Sequence, residues 1–220
     1  MRWDIVTTAF EPTAVTLGFL AHHVDLGVNK IWLHLDAPNP ELEALVGDHP
    51  KIQIIKCDAV YWQNSTKGER PWDFRVRQTI NADAAMAQSG ADWIAHIDAD
   101  EFVTTAGALF AFLQQQPAEV LTVVVPNGER VHRRGHRPSH VFSGDFRVPF
   151  PPRIHRALPL LYGKYARYLQ KGLAGYWHGK AFTRVSSGLP LALHKGRMMR
   201  YVKNDAKGWR GGHHLVVSGT

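Results

Sequence analysis

An α/β fold built on one mostly parallel sheet is predicted, and three observations predict it. Segments of strand period alternate with segments of helical period from residue 4 to residue 125. Two of the strands run directly into aspartates, at Leu35-Asp36 and Ile97-Asp98. The length of 220 residues, with 45% hydrophobic and 20% charged residues, suits one globular domain with at most a small extension. Strands separated by helices form βαβ units, with helices on both faces of the sheet.

Each element has its own signal. Residues 4–9 (Asp-Ile-Val-Thr-Thr-Ala) read as the first strand. Thr16 to Gly27 carries Leu17, Leu20, His23 and Val24 at helical spacing, and Gly27 is its stop. Residues 30–35 form a second strand ending at Asp36; Pro40 to Val46 is a short helix with proline in its first turn and Gly47 after it. Residues 52–55 are a third strand, and 61–72 mix Tyr, Trp, Asn, Ser, Gly and Pro like a loop. Asp73 caps a longer helix, about 74–88. A fourth strand, 93–97, ends at Asp98, and a helix near 107–115 and a strand 120–125 complete the series.

After Pro126 the pattern changes. Residues 127–153 are rich in Gly, Pro, Arg and His and read as a long loop with room for short strands. Residues 158–169 read as helical, and 176–185 and 189–193 as strands joined by Ser186-Ser187-Gly188. The whole of 1–220 is expected to be one domain, with a first part over 1–125 and a second over 126–220. Residues 205–220 contain no obvious closing element, which leaves room for a longer native chain.

Composition excludes several classes. No apolar run reaches the ~18 residues of a membrane span, and Met1-Arg2-Trp3-Asp4 opens no signal peptide. The single cysteine, Cys57, forbids an internal disulfide and fits a reducing compartment, hence a cytoplasmic protein, free or peripheral at a membrane surface. The net charge of +7 hides an asymmetry: residues 1–128 hold eight Lys/Arg and 16 Asp/Glu, and residues 129–220 hold 18 and three. An acidic half suits a cation, and a basic half suits phosphates or an anionic partner.

The chemistry concentrates in Asp92-Trp93-Ile94-Ala95-His96-Ile97-Asp98-Ala99-Asp100-Glu101-Phe102. In parallel sheets the ligand binds beyond the carboxyl ends of the strands, so this segment delivers three carboxylates to the ligand edge. Crowded carboxylates want a cation, and oxygen ligands suit Mg²⁺ or Mn²⁺ shared with substrate phosphates. In the second part, Lys180, Phe182 and Arg184 alternate to one face of a strand, which makes Lys180 and Arg184 candidates for phosphate contacts. If the chemistry takes a carboxylate base from the second part, Glu129, Asp145 and Asp205 are available, and Asp145, in the Gly- and aromatic-rich Phe142-Ser143-Gly144-Asp145-Phe146, is favoured; a transfer with retention needs no such base, so the stereochemistry stays open. His132, His136 and His140 share a spacing of four, but Gly135 and Pro138 interrupt it, so Arg130–His140 reads as a basic loop. His213-His214 has no assigned partner.

These segments resemble the family-2-like branch of the nucleotide-sugar glycosyltransferases of GT-A fold. Phe19-Leu20-Ala21-His22-His23-Val24-Asp25-Leu26-Gly27-Val28 matches an early motif of that branch, a strand ending at Asp36 follows, and Asp92–Phe102 matches its Asp-x-Asp-Glu-Phe strand. The branch often carries Arg-Asn-Glu after its first strand; here Ala9-Phe10-Glu11-Pro12 keeps only the glutamate. The resemblance implies a hexosyltransferase-like enzyme taking a sugar from a nucleoside-diphosphate donor to a saccharide or other hydroxyl acceptor, an anionic one included. It implies that Asp36 meets the base, that Asp98 lies near ribose and metal, and that Asp100 ligates Mn²⁺ or Mg²⁺. Glu101 either supports that site or caps the next helix. A histidine of the second part completes the metal shell, His194 first and His178 as its competitor.

Two other readings stand beside this one. A nucleotidyl or phosphoryl transferase would use the same carboxylate–metal logic, though no glycine-rich phosphate loop follows the first strand. A basic nucleic-acid-binding module would use the Arg, Lys, Tyr and Trp of residues 162–177. The acidic first half opposes that reading, so no nucleic-acid partner is expected.

Overall fold

The computed structural model describes residues 1–65, 68–104, 106–131, 135, 139, 145–175, 177–191 and 216–218. In chain order its elements begin with β1 (Trp3–Ala9), α1 (Thr13–Asp25), β2 (Lys30–Leu35), α2 (Pro40–Val46), β3 (Ile52–Lys56) and α3 (Ala59–Ser65). Then come α4 (Phe74–Gln88), β4 (Trp93–His96), β5 (Glu101–Val103), α5 (Ala106–Gln114), β6 (Thr122–Val125), β7 (Asn127–Val131) and β8 (Asp145–Arg147). The series ends with α6 (Leu158–Tyr162), flanked by 3-10 turns at Pro152–Ala157 and Gly163–Tyr168, then β9 (Lys180–Arg184) and β10 (Val216–Ser218).

The main sheet has the order β3-β2-β1-β4-β9-β6. β1 to β4 pair parallel, and β9 inserts antiparallel between β4 and β6. A smaller mixed sheet, β5-β10-β7-β8, continues from it, because β6 passes through Pro126 directly into β7. This is the predicted α/β class, with a mixed C-terminal part.

The strand period of two sorts the side chains between the faces. On one face Trp3, Ile5, Ile31, Leu33, Leu35, Trp93, Ala95 and Phe182 pack under α1, α2 and α5 through Phe19, Leu20, Leu42, Leu109 and Leu113. On the other, Val6, Trp32 and Ile94 meet Ala82, Ala85 and Met86 of α4. Asp36 is in phase with Trp32 and His34, and Asp98 with Ile94 and His96. Both aspartates therefore leave the sheet on the α4 side.

Several elements depart from the expectations. α1 starts three residues early, behind Pro12, and Gly27 at φ +84° ends it as predicted. The loop expected at 61–72 begins inside α3, because the Asp58 carboxylate accepts from the Tyr61 amide and the buried Trp62 indole donates to the Cys57 carbonyl. Burial pushes the Cys57 thiol up to about 12, so it stays protonated. The helix expected over 158–169 breaks at Gly163, where φ is +54°, and tightens into a 3-10 turn. The strand expected from 176 starts only at Lys180, because Gly179 turns at φ +75° with its Cα packed against the Val125 carbonyl. Residues 189–191 are not a strand, and 192–193 lie outside the described residues. The histidines at 132, 136, 140, 213 and 214 lie outside them as well.

The two histidines of the early motif have a structural task. His22 Nε2–H donates to the Val103 carbonyl at 2.8 Å, and the Val103 amide donates to His23 Nε2 at 3.3 Å. Together they clip β5 to α1. His23 Nδ1–H donates to the Phe19 carbonyl, so its ring is neutral; burial, then the neighbouring His22, lower its pKa to about 3. Burial likewise lowers His34 to about 4. Below pH 6.5 the unfolded chain binds protons that the folded chain refuses, so stability is complete above 6.5 and falls as the pH falls toward these values. Urea unfolding at pH 7 and pH 5 should differ by roughly 2–4 kcal/mol, and His34→Gln should remove about half of that difference. Equal stability at the two pH values would contradict the neutral, buried state of both rings.

Candidate functional site

The site is the turn that joins β4 to β5. The Glu101 amide donates to the Asp98 carbonyl at 2.9 Å, closing a tight turn over Ala99 and Asp100. The Glu101 carboxylate folds back beneath it and accepts from the Asp98 amide at 3.2 Å. Under the turn lies Lys180, with a side chain 0% exposed. Its Nζ donates to Asp98 Oδ2 at 2.6 Å and lies 2.7 Å from Glu101 Oε2. The other Asp98 oxygen accepts from Gln78 Nε2 of α4 at 2.9 Å. Asp98 is thus gripped from both sides, and Glu101, buried and five residues ahead of α5, supports the turn rather than capping that helix.

Asp100 is different. It is half-buried, and among the described residues no ammonium or guanidinium is bonded to its carboxylate. Burial, then the negative charge of Asp98 and Glu11, raise its pKa, against a smaller opposing pull from Lys180. The Glu11 side chain comes from the segment after β1 and accepts from the Phe10 amide. A carboxylate pressed by two others, with one face toward solvent, fits a divalent cation. Among the described residues no three His, Cys, Asp or Glu side chains are grouped to hold an ion by themselves. Asp100 by itself offers an outward carboxylate, the kind of single protein ligand taken by an ion that keeps waters and substrate oxygens in its shell.

The second aspartate, Asp36, is also held. Arg77 of α4 makes a bidentate pair with it, both bonds 2.8 Å, and Arg70 adds a third at 2.9 Å. Arg77 Nη1 also donates to the carbonyls of Pro71 and Trp72. The pair thereby ties loop 70–72 to the end of β2, and the Trp72 ring stands almost fully exposed at this edge. A small cavity of about 50 Å³ lies between the ends of β1 and β2 and the helices α1 and α2, lined by Ala9, Phe10, Glu11, Leu35 and Ala37 among others.

The structure brings Asp36, Asp98, Asp100 and Lys180 to one edge of the sheet and puts Arg184 at the other. Lys180 is not on the surface to meet a diphosphate; it is the internal counter-ion of Asp98 and Glu101. Arg184 is at the far end of β9, because that strand runs antiparallel: it pairs with Trp93, the first residue of β4. Its guanidinium donates to the carbonyls of Gln116, Pro117 and Val120 and lies over the Trp93 ring. Asp145 begins β8, the outer strand of the small sheet, about 14 Å from β5 at three strand spacings. Glu129 serves the backbone: burial raises its pKa, but the Gly175 and Ala174 amides and Arg147 outweigh that and hold it low. The His178 ring stacks on Trp177. His194 lies outside the described residues.

Sequence reasoning missed Arg77, Gln78 and Trp72. A signal for the first two existed. Arg77, Gln78 and Asn81 continue, at helical spacing, the buried stripe of Ala82, Ala85 and Met86 on α4. Polar residues on a helix's buried stripe, near its N-terminus, must meet polar partners.

No family model matches the chain. It is 25% identical over 240 residues to a glycosyltransferase-like protein of Arabidopsis thaliana, an alignment covering 94% of this chain and 45% of that one. A second Arabidopsis glycosyltransferase-like protein is 24% identical, with 88% and 49% covered. The chain therefore spans about half the length of these relatives. Among solved structures, that of S. aureus TarS residues 1–349 matches with a TM-score of 0.47 and 10% identity, covering 84% of this chain and 48% of that one.

Two stability predictions follow from the two knots. Lys180→Met leaves two carboxylates with their buried cation removed and should cost about 3–5 kcal/mol in urea unfolding; adding Glu101→Gln should recover part of it. A loss under about 1 kcal/mol would show that Lys180 does not neutralise the turn. Asp36→Ala strands the Arg77 guanidinium and should cost a similar roughly 3–5 kcal/mol. An Asp36→Ala variant as stable as the parent would contradict the clamp.

Proposed function

We propose that this chain is the catalytic part of a metal-dependent glycosyltransferase, moving a sugar from a nucleoside-diphosphate donor to a hydroxyl acceptor. The observation that carries the reading is Asp100: a partly exposed carboxylate crowded by Asp98 and Glu11, on a braced turn at the carboxyl end of a parallel sheet. The glycosyltransferase-like relatives support the same class.

In the transfer, the acceptor oxygen bonds to the anomeric carbon as the bond from that carbon to the diphosphate oxygen breaks. The electron pair leaves on the diphosphate, and the acceptor proton passes to a base. A bound Mn²⁺ or Mg²⁺ supplies positive charge for the leaving diphosphate. Asp100 would hold it, with Asp98 and Glu11 adding their field. Lys180 and Glu101 keep the turn in one shape so that Asp100 faces the ligand side. Asp36, through Arg77 and Arg70, shapes the loop against which the nucleoside would lie, in place of the free acceptor for the base first expected. His194 as a further metal ligand and Asp145 as the base for a saccharide or anionic acceptor belong to this proposal, as does the division into a nucleotide part (1–125) and an acceptor part (126–220). A cytoplasmic, reducing location is proposed on Cys57 alone.

Calorimetry of UDP and GDP, with Mn²⁺ and with EDTA, tests the reading. Binding should need the metal, and Asp100→Asn should weaken it at least about tenfold, the loss of one charged partner. Because Asp100 is repelled by its neighbours, the same variant should melt at an equal or higher temperature than the parent. Metal-independent binding, or an Asp100→Asn variant with parental affinity, would contradict the assignment. Release of a nucleoside diphosphate from the donor, rather than pyrophosphate, separates sugar transfer from nucleotidyl transfer.

A further inference from the structure

Residues 152–168 present an exposed apolar and basic surface that the proposed reaction does not use. Leu160 is 92% exposed and Leu161 61%, beside the buried Leu158 that anchors α6. Tyr165 and Tyr168 are each 62% exposed on the 3-10 turn that follows. Three residues per turn set Tyr165 and Tyr168 in one row and Lys164 and Arg167 in the next. Each cation covers its neighbouring ring, Lys164 at 5.5 Å from the Tyr165 centroid and Arg167 at 4.8 Å from that of Tyr168. Arg153 and Arg156 are exposed on the preceding turn. The platform is tied down behind: the Phe150 amide donates to the Lys171 carbonyl, and His155 Nε2–H to the Phe150 carbonyl. An open cleft of about 470 Å³ lies between α6 and the 3-10 turn.

Charge identifies the partner. From residue 146 to residue 204 the sequence has 12 Lys/Arg and no Asp or Glu. A protein partner of mixed charge would find nothing to pair with its own cations. A nucleic acid would suit the cations and the tyrosines, but two adjacent exposed leucines gain nothing from phosphates or base edges. An anionic bilayer rewards all three groups at once. Its surface potential attracts the cations, its headgroup layer suits Tyr with a polar tip, and its acyl boundary takes Leu160 and Leu161 out of water. No helix among the described residues is long and apolar enough to cross a membrane, so the contact is lateral.

We infer that the surface formed by Leu160, Leu161, Tyr165 and Tyr168 with Lys164 and Arg167 docks the protein on an anionic lipid membrane. The inference does not depend on sugar transfer.

Cosedimentation with lipid vesicles tests it. The chain should bind phosphatidylcholine vesicles containing about one-third phosphatidylserine, and bind pure phosphatidylcholine at least about tenfold more weakly. Lys164→Glu with Arg167→Glu should weaken binding about 25-fold or more, and Leu160→Ser with Leu161→Ser about tenfold or more. All four side chains are exposed, so the variants should melt like the parent and keep nucleotide affinity; Leu160→Gln alone, at the most exposed position, gives a milder version of the same loss. Absence of vesicle binding overturns the inference. So does binding that the leucine variants leave unchanged while duplex DNA competes for it, which would make the surface a general polyanion site.

Discussion

A lysine ammonium buried between two carboxylates is the contact on which the site depends. Lys180 Nζ lies 2.6 Å from Asp98 and 2.7 Å from Glu101, with no exposure to solvent. Three carboxylates within four residues cannot share a tight turn unless their charge is met. The ammonium meets it from inside for two of them, and the third is left to face outward. Burying such a cluster costs desolvation that a single ion pair rarely returns, and removing one partner leaves the rest uncompensated. The shape it selects is a turn braced by the Glu101 carboxylate on the Asp98 amide and by Gln78 on the Asp98 side chain.

The topology exists to make that contact. Lys180 is 82 residues from Asp98, and only the antiparallel insertion of β9 between β4 and β6 brings it there. Gly179 permits the entry by taking a positive φ against the Val125 carbonyl. β6 then runs through Pro126 into the small sheet, and β5, the continuation of the acidic turn, joins the same small sheet through β10. His22 and His23 fasten β5 to α1 from the other side. Each anchor acts on backbone adjacent to Asp98–Glu101, so the turn is fixed by elements from both halves of the chain.

Much of this was legible in residues 1–125, where period and caps agree: Asn39 and Asp73 cap α2 and α4, and Gly27 closes α1. The acidic turn was legible because its residue types have few structural uses at the end of a buried strand. The partners were not. Whether Asp36 waits for a ligand or is consumed by Arg77 depends on which helix crosses the end of β2: the buried stripe of α4 signals that Arg77 needs a polar partner, not which one. The alternation of Lys180 and Arg184 was read correctly as one face of a strand, but its direction was invisible, and an antiparallel strand carries its two ends to opposite edges of the sheet. The charge asymmetry had the same ambiguity. Lys180 does meet the acidic edge, while Arg153, Arg156, Lys164 and Arg167 spread over an exposed surface.

On the proposed function the internal cation and the metal are separate: Lys180 belongs to the turn, and a divalent ion would belong to Asp100. Anomalous diffraction at the manganese edge, from crystals grown with Mn²⁺ and a nucleoside diphosphate, tests it directly. The account predicts one manganese peak in contact with the Asp100 carboxylate on its solvent side, with Lys180 Nζ still between Asp98 and Glu101. A peak at the position of the Lys180 ammonium, with the lysine swung away, would contradict it.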